Sequence, residues 1–420
     1  MGSRDAGLRR NPEFLKLWAG ESVSLLGSQV TALALPLVAA VALRATPVEM
    51  GVLAAADTAP ILALGLVAGA WSDRRRRRPL LLAANAGRAA LLATIPLAAL
   101  LGRLALPQLY AVAFLVGALG VVFDTTYQAY LPALVARDAL VAGNARLEVS
   151  RSVAQVVGPA AAGALVALVT APLAIALDAG SFVVAAVSVA LIRRPEPAPA
   201  AGEKRLGLGR EIVAGLRYIA MHRLLRALTA ATGLANLASG AIFALLILYL
   251  ARDLALPPAV IGALLTVGGP AALLGALSVD RIAGRLDVGR TLVVGSLVFT
   301  AGDFALALAG GPRGATVAVL ALAQALIGFG SPVYNVTAIS LRQSLTPDAL
   351  LGRVTASARV VTVGALPLGA LLGGALGARL GLRPTLLVAA CWALLLPAWL
   401  ALSPVGSRKS GVGREVSVDS

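Results

Sequence analysis

Residues 48–102 read VEMGVLAAADTAPILALGLVAGAWSDRRRRRPLLLAANAGRAALLATIPLAALLG: an apolar run, a knot of one acid and five arginines (Asp73 to Arg78), and a second apolar run. A helix crossing a ~30 Å hydrocarbon core needs ~20 mostly apolar residues, because nothing in lipid hydrogen-bonds a free backbone. Both runs are long enough, so the arginines mark a turn outside the bilayer between two spans. Working outward, the same test finds spans near 17–43, 48–72, 79–102, 106–134, 145–168, 172–192, 223–251, 257–283, 290–309, 314–343, 353–378 and 382–402. The chain reads as an all-α membrane protein with twelve transmembrane helices in two pseudo-symmetric six-helix bundles.

Lys and Arg near span ends resist translocation, whereas acids count for little. Placing both termini in the cytoplasm puts 29 of the 36 basic residues inside. The external loops then keep only Arg44, Arg103, Arg252, Arg313, Arg379 and Arg383, and Arg88 falls within a span. The formal charge of +16 is thereby a signature of topology, and no nucleic-acid partner is implied. The bilayer is the partner instead: 59% hydrophobic residues, 13% charged residues and a mean hydropathy of +0.87 exclude a soluble domain of 420 residues. The span that follows Arg4, Arg9, Arg10 and Lys16 is too long for a cleavable signal, so the first helix is expected to stay.

Several chemistries are excluded by what the chain lacks. A single cysteine, Cys391, permits no internal disulfide or thiolate metal cluster, and reads as a small apolar filler. The only histidine, His222, sits in a cytoplasmic segment, and no His-Glu-x-x-His stretch occurs, so neither a metal site nor an intramembrane hydrolase is expected. No Gly-x4-Gly-Lys-Ser/Thr loop is present to bind ATP, and no other cofactor is implied. The acids within spans form no ring of like charge of the kind a channel uses.

The chain divides at its middle. Residues 1–192 form the first bundle, 193–222 a cytoplasmic linker, 223–403 the second bundle and 404–420 a cytoplasmic tail. The linker opens on Arg193-Arg194-Pro195-Glu196-Pro197 and ends in an amphipathic stretch, 208–225, which fits either a helix on the headgroups or a solvated connector. An internal repeat relates the halves: Asp138-Ala139-Leu140 with Arg151 and Pro159, against Asp348-Ala349-Leu350 with Arg359 and Pro367. Repeated halves are a common build of secondary transporters, in which two bundles rock about a central site.

Gly69-Ala70-Trp71-Ser72-Asp73-Arg74-Arg75-Arg76-Arg77-Arg78 resembles the loop motif between spans two and three of the major facilitator superfamily, Gly-x-Leu-x-Asp-Arg-x-Gly-Arg-Arg/Lys. Trp71 and Arg76 depart from the pattern. The resemblance makes Gly69, Asp73, Arg74, Arg77 and Arg78 a conformational switch, with Asp73 facing a helix N-terminus and Arg74 reaching an acid. Asn11-Pro12-Glu13-Phe14, Leu17-Trp18, Ser24 to Gln29, Tyr130-Leu131-Pro132, Asn144, Gly158-Pro159, Asp178-x-x-Ser181-Phe182 and Gly352-Arg353-Val354 are similar to the branch that includes the enterobactin exporter and macrolide efflux proteins. That resemblance implies a monomeric, multi-pass exporter in a bacterial plasma membrane, moving small amphipathic molecules by proton antiport. Drugs, siderophores, lysophospholipids or another solute are open as cargo.

An unpaired charge within the membrane costs ~3 kcal/mol or more, so the intramembrane charges Glu21, Asp57, Arg88, Asp124, Asp178 and Asp303 are the first functional candidates. At ~1.5 Å per residue, Arg88 and Asp124 both lie ~14 Å from the cytoplasmic surface, and an ion pair between them is expected. Relatives in the branch often carry an acid where Asn85 stands. Asp124, Arg88 and Glu21 are the candidates for proton coupling or ion pairing; Asp178 and Asp303 read as structural, and Asp57 as a neighbour of the external gate. In the superfamily, spans one, four, seven and ten line the central cavity, which makes Gln29, Tyr127, Gln128, Asn236, Ser239, Tyr334 and Asn335 cavity candidates. Gly158, Pro159 and Pro367 are expected to bend their helices.

Reporter fusions after residues 200 and 410 should report cytoplasmic, and a fusion near Thr170 external. A periplasmic signal at 200 would overturn the topology.

Overall fold

The computed structural model describes residue 8 and residues 11–72, 75–136, 139–194 and 208–403, with side chains at 66–72, 208–211 and 349 left aside. The helices are α1 (Pro12–Leu37), α2 (Pro47–Ser72), α3 (Arg77–Leu100), α4 (Leu106–Leu134), α5 (Leu140–Val169), α6 (Ala171–Ala190), α7 (Leu208–Met221), α8 (Arg223–Leu248), α9 (Pro258–Leu308), α10 (Arg313–Ser344), α11 (Asp348–Leu380) and α12 (Leu382–Leu402). Eleven of them are long and apolar enough to cross a membrane. The longest, α9, holds both the eighth and ninth expected spans, which meet at Asp287, where φ is 65° and ψ 162°. Two spans are longer than their apolar runs suggest. The fifth begins at Leu140 and the eleventh at Asp348, because a helix satisfies its own backbone and continues into water through Asn144, Arg146 and Glu148 or through Arg353.

The repeat seen in sequence recurs in the backbone. Positive φ falls at Arg44 (51°) and Ala255 (47°), at Gly102 (64°) and Gly311 (93°), and at Thr170 (80°) and Gly381 (87°), each pair about 210 residues apart. Two π-turns match as well: Val38–Ala42 closes α1 and Tyr249–Asp253 closes α8. Asn11 caps the start of α1 by accepting from Glu13 N (3.1 Å) and Phe14 N (3.2 Å), while its Nδ2 donates to Leu134 O (2.9 Å). Glu13 accepts from Lys16 Nζ (2.8 Å) and Arg193 N (2.8 Å), fastening the end of the sixth span to the first helix.

An even number of spans returns the chain to the side where α1 begins, here called the termini side; the opposite face is distal. The two halves meet in the distal and middle parts of their helices. A Cβ on Gly262 would lie 2.3 Å from Pro159 O and 2.8 Å from Gly163 Cα, so α5 and α9 touch backbone to backbone. On the other flank, a Cβ on Gly51 would lie 2.6 Å from Ala370 O and 3.0 Å from Gly374 Cα, joining α2 to α11. Between these contacts Arg252 reaches from the second half to the first, donating through Nε to Ala40 O (2.9 Å) and through Nη1 to Ala45 O (2.8 Å). The same region carries the largest apolar core, with Leu37, Ala45, Leu245, Tyr249 and Ile261 buried together.

The amphipathic helix α7 packs on α11. Ser357 Oγ donates to Ile212 O (3.0 Å), a Cβ on Gly215 would meet Arg353 O at 2.5 Å, and Ile219 is buried with Val354 and Ala358. Its apolar side is therefore covered in part by protein, while Val213 and Met221 remain exposed. His222 follows as the N-cap of α8, its Nδ1 accepting from Leu225 N (3.4 Å). Cys391, expected as a filler among apolar neighbours, is exposed on α12.

Hydrogen bonds from a charged donor contribute about 1.5–3 kcal/mol each. Arg252→Gln should therefore loosen the distal face. The check is maleimide labelling of a cysteine introduced at Ala45, which should become several-fold faster; unchanged labelling would show that the glycine contacts hold the face alone.

Candidate transport site

Two adjoining cavities open among the helices of the first half. One, of about 260 Å³, is walled by Glu21, Ser24 and Ser28 of α1, Arg88 of α3, Phe123 and Asp124 of α4, Arg151 of α5 and Phe182 of α6. The other, of about 630 Å³, is walled by Asp124, Tyr127 and Gln128 of α4 and by Asn144, Glu148 and Arg151 of α5. Asp124 and Arg151 belong to both. Glu21 is only 7% exposed and its Oε2 has no hydrogen-bond partner among the described residues; Tyr127 is 8% exposed and its hydroxyl is likewise unmet. Buried polar atoms left unpaired are costly and infrequent, and these two lie on the walls of the cavities.

Arg88 and Asp124 share the first cavity, as their depths predict, and feel each other's charge. They are not in ion-pair contact. Among the described residues the pairs within 4.0 Å are Lys16–Glu13 (2.8 Å) and Arg151–Glu148 (3.8 Å). Arg88 is held by aromatic faces instead: its guanidinium carbon lies 4.9 Å from the Phe123 ring centre and 5.1 Å from that of Phe182. Its Nε is buried without a hydrogen-bond partner among the described residues. The physical reason is that a flat, weakly hydrated guanidinium stacks well on rings, and α4 and α6 present one on each side. Gly120 supplies the room, since a Cβ there would lie 2.9 Å from Arg88 Nη2. Asn85, one turn earlier, is buried with both side-chain polar atoms unpaired among the described residues.

The other candidates separate. Gln128 lines the second cavity with Tyr127. Gln29 is packed against α5, where a Cβ on Gly158 would meet its Cγ at 2.3 Å; Gly158 makes room for Gln29, and Pro159 lies within the continuous helix α5. Pro367 lies within α11. In the second half, Asn236 donates to Thr362 O (2.8 Å), a bond between α8 and α11. Tyr334 is buried and its hydroxyl is 2.6 Å from Thr232 Oγ1, which ties α10 to α8. Both groups are therefore engaged between helices. Ser239 is half-buried, and Asn335 is exposed with Nδ2 donating to Ser331 Oγ (3.2 Å).

The loop motif is described in part. Gly69 lies in the last turns of α2, and Asp73 and Arg74 fall outside the described residues. Arg77 begins α3. Arg78 donates through Nε to Val189 O (3.3 Å) and through Nη2 to Ala190 O, placing a cation at the C-terminus of α6. Arg76 has φ −64° and ψ 130°, ordinary extended backbone, so its position does not call for glycine.

Asp178 accepts from Ser181 Oγ (2.9 Å) and from Thr31 Oγ1, binding α6 to α1 where Gly27 lets the two approach. Asp303, 3% exposed, lies on the second arm of α9 with Oδ2 unpaired among the described residues. Asp57 lies on an exposed face of α2.

Two six-span halves joined at one face, with a polar cavity toward the other, define a transporter of the major facilitator class. The chain belongs to the transmembrane secretion effector family of that superfamily, which it matches over residues 6–409. It is 28% identical over 369 residues to an uncharacterized MFS-type transporter, y4rN, of Sinorhizobium fredii, covering 87% of this chain and 89% of that one. To the multidrug efflux pump Tap of Mycobacterium tuberculosis it is 28% identical over 395 residues, 91% of this chain and 90% of the pump. Among solved structures it resembles a bacterial homologue of the iron transporter ferroportin in an inward-facing state (TM-score 0.76, 17% identity, 94% of this chain and 99% of that one). It also resembles the nucleoside transporter NupG (TM-score 0.74, 12% identity, 94% and 100%). The protein is thus a multi-pass membrane transporter of small molecules and not an enzyme.

Arg151, Glu148, Ser24 and Ser28 line the cavities without having been singled out as cavity residues. Arg151 carried a signal, its place in the internal repeat; the serines carried none, since Ser is common in spans.

If stacking rather than pairing holds Arg88, a double-mutant cycle of Arg88→Gln with Phe182→Leu should show a coupling of about 0.5–2 kcal/mol in thermal stability. The cycle of Arg88→Gln with Asp124→Asn should show less. A larger coupling in the second cycle would restore the ion pair.

Proposed function

We propose that the protein is a secondary active exporter that carries amphipathic small molecules out of a bacterial cytoplasm in exchange for protons, acting as a monomer. The observation that supports this best is Glu21, buried with its Oε2 unmet among the described residues, beside Arg88, Asp124 and Arg151 in one cavity. A carboxylate that is not locked into an ion pair is free to change protonation as its surroundings change, and a proton carrier needs that freedom. The positive-inside pattern makes the termini side cytoplasmic. With the halves joined distally, this conformation would receive cargo from the cytoplasm. The name of the pump Tap supports drugs as one class of cargo.

Asp73 and Arg74 complete the reading as a state-dependent contact at the cytoplasmic face. Asp73→Asn should leave the protein inserted and lower transport, because it removes a charge that acts in one conformation only.

The test uses everted membrane vesicles with an acid interior and the fluorescent amphiphile ethidium or Hoechst 33342. Uptake should follow the proton gradient, collapse with nigericin, and fall at least tenfold in Glu21→Gln at equal expression. Gradient-independent uptake would remove proton antiport, and outward-to-inward movement of the dyes in intact cells would reverse the direction.

A further inference from the structure

Two neighbours fix the depth of α7 in the bilayer. Its last residue, Met221, is separated from α8 by His222 alone, whose backbone is extended (φ −89°, ψ 107°), so α7 ends where the seventh apolar run begins. Its middle is bound at the start of the eleventh run, 353–378: Ser357 Oγ donates to Ile212 O (3.0 Å), a Cβ on Gly215 would meet Arg353 O at 2.5 Å, and Ile219 is buried with Val354 and Ala358. These contacts fall five to ten residues past the first residue of α11, ~8–15 Å along it, so α7 lies beside α11 and not beneath its end. At ~100° per residue, Val354, Ser357 and Ala358 stand nearly opposite Ala370 and Gly374, where α11 meets α2. The helix therefore occupies the flank of the second half that faces away from the first half and its cavities, at the level where the apolar span gives way to headgroups.

The side of α7 turned from α11 carries two chemistries. Val213, Arg217 and Met221 recur every four residues, and all three are exposed, Met221 to 76%. Arg223 is exposed one residue beyond the bend, and Arg226 donates through Nη1 to Ala220 O (2.8 Å), closing the end of α7 with a cation. Residues 203–226 hold six lysines and arginines against two acids, Glu203 and Glu211. Bulk water offers an exposed Met and Val no gain, whereas a lipid surface takes apolar side chains at the acyl boundary and guanidinium groups at the phosphates above it. The basic excess favours lipids of net negative charge.

We infer that α7 is a docking helix for anionic phospholipid of the termini-side leaflet, with Val213 and Met221 set into the leaflet and Arg217 and Arg223 on headgroup phosphates. The site is separate from the cavities, and it stands whatever the cargo and its energy source. Because α7 is bound to α11, the lipid it holds is attached to the second half, and the anionic content of the membrane acts on that half through α11. Each arginine at such a surface strengthens docking about fivefold.

The experiment uses the full-length protein with Cys391→Ser, so that a single introduced cysteine is labelled. The fluorophore NBD is placed through Met221→Cys and, as a reference, through Arg285→Cys, exposed near the break at Asp287. Nanodiscs contain phosphatidylcholine alone or with one third phosphatidylglycerol, and the label is quenched either by aqueous acrylamide or by a lipid with a nitroxide on its headgroup. In the mixed discs the label at 221 should be quenched by acrylamide at least threefold less than the reference, and by the nitroxide lipid at least threefold more. Phosphatidylcholine alone should shrink both contrasts at least twofold, and so should Arg217→Gln with Arg223→Gln in the mixed discs, whereas Arg217→Lys with Arg223→Lys should keep them. Molar salt replaces the Gln pair if that variant does not fold, and should have the same effect. Equal quenching of both labels by both agents in both discs would make α7 a solvated connector and overturn the docking site. Protection that ignores phosphatidylglycerol and the arginines would overturn the preference for anionic lipid, and protection that appears only with added cytosolic extract would give the surface to a protein instead.

Discussion

Backbone meets backbone where glycine removes the side chain, and this contact decides what the rest of the molecule can do. Within lipid no hydrophobic force draws helices together, so closeness must come from packing alone. Gly163 with Gly262, and Gly51 with Gly374, bring helices of opposite halves close enough that no other residue fits. A joint of this kind is narrow and local. It holds one end of the bundle shut and leaves the other end to be held apart or together by charge, cargo or loop, which is where the polar cavities and the arginine-rich turn are found.

Pseudo-symmetry governs the frame but not the chemistry. Matching π-turns, matching positive-φ turns and matching Pro159 and Pro367 show two copies of one backbone plan. The first copy carries the unpaired buried groups that line the cavities, Glu21 and Tyr127. In the second, Tyr334 and Asn236 are bound to neighbouring helices. The distal tie is one-sided too, because Arg252 lies in the second π-turn while Val41 lies at the matching place of the first. The second half has buried polar atoms unmet among the described residues too, on Thr229, Asp303 and Arg342, but these line neither of the two cavities.

Much of the frame was legible because lipid imposes it: an apolar run of fixed length and a loop charge are properties of single segments. The break at Asp287 was legible in the same way, since it falls in the gap between the eighth apolar run, 257–283, and the ninth, 290–309. The site was legible by depth and not by contact. Arg88 and Asp124 wall one cavity, yet whether a guanidinium meets a carboxylate or two rings depends on which faces α4 and α6 turn inward. Asp178-x-x-Ser181-Phe182 shows the same limit: its spacing is visible in sequence, but its division of labour, with Asp178 and Ser181 toward α1 and Phe182 over Arg88, follows from helix rotation.

The linker is fastened at both ends to different halves. Arg194 Nη1 donates to Leu134 O (2.7 Å) in the first half, and α7 is bound to α11 in the second through Ser357. Residues 195–207 are all the chain that joins these anchors, and at ~3.3–3.6 Å per residue such a length reaches at most about 45 Å. Because the two anchors belong to different halves, the number of residues between them sets an upper limit on how far apart these anchor points can move. Removing a few of these residues would lower that limit, and so narrow the opening on the termini side before it touched any residue of the cavities.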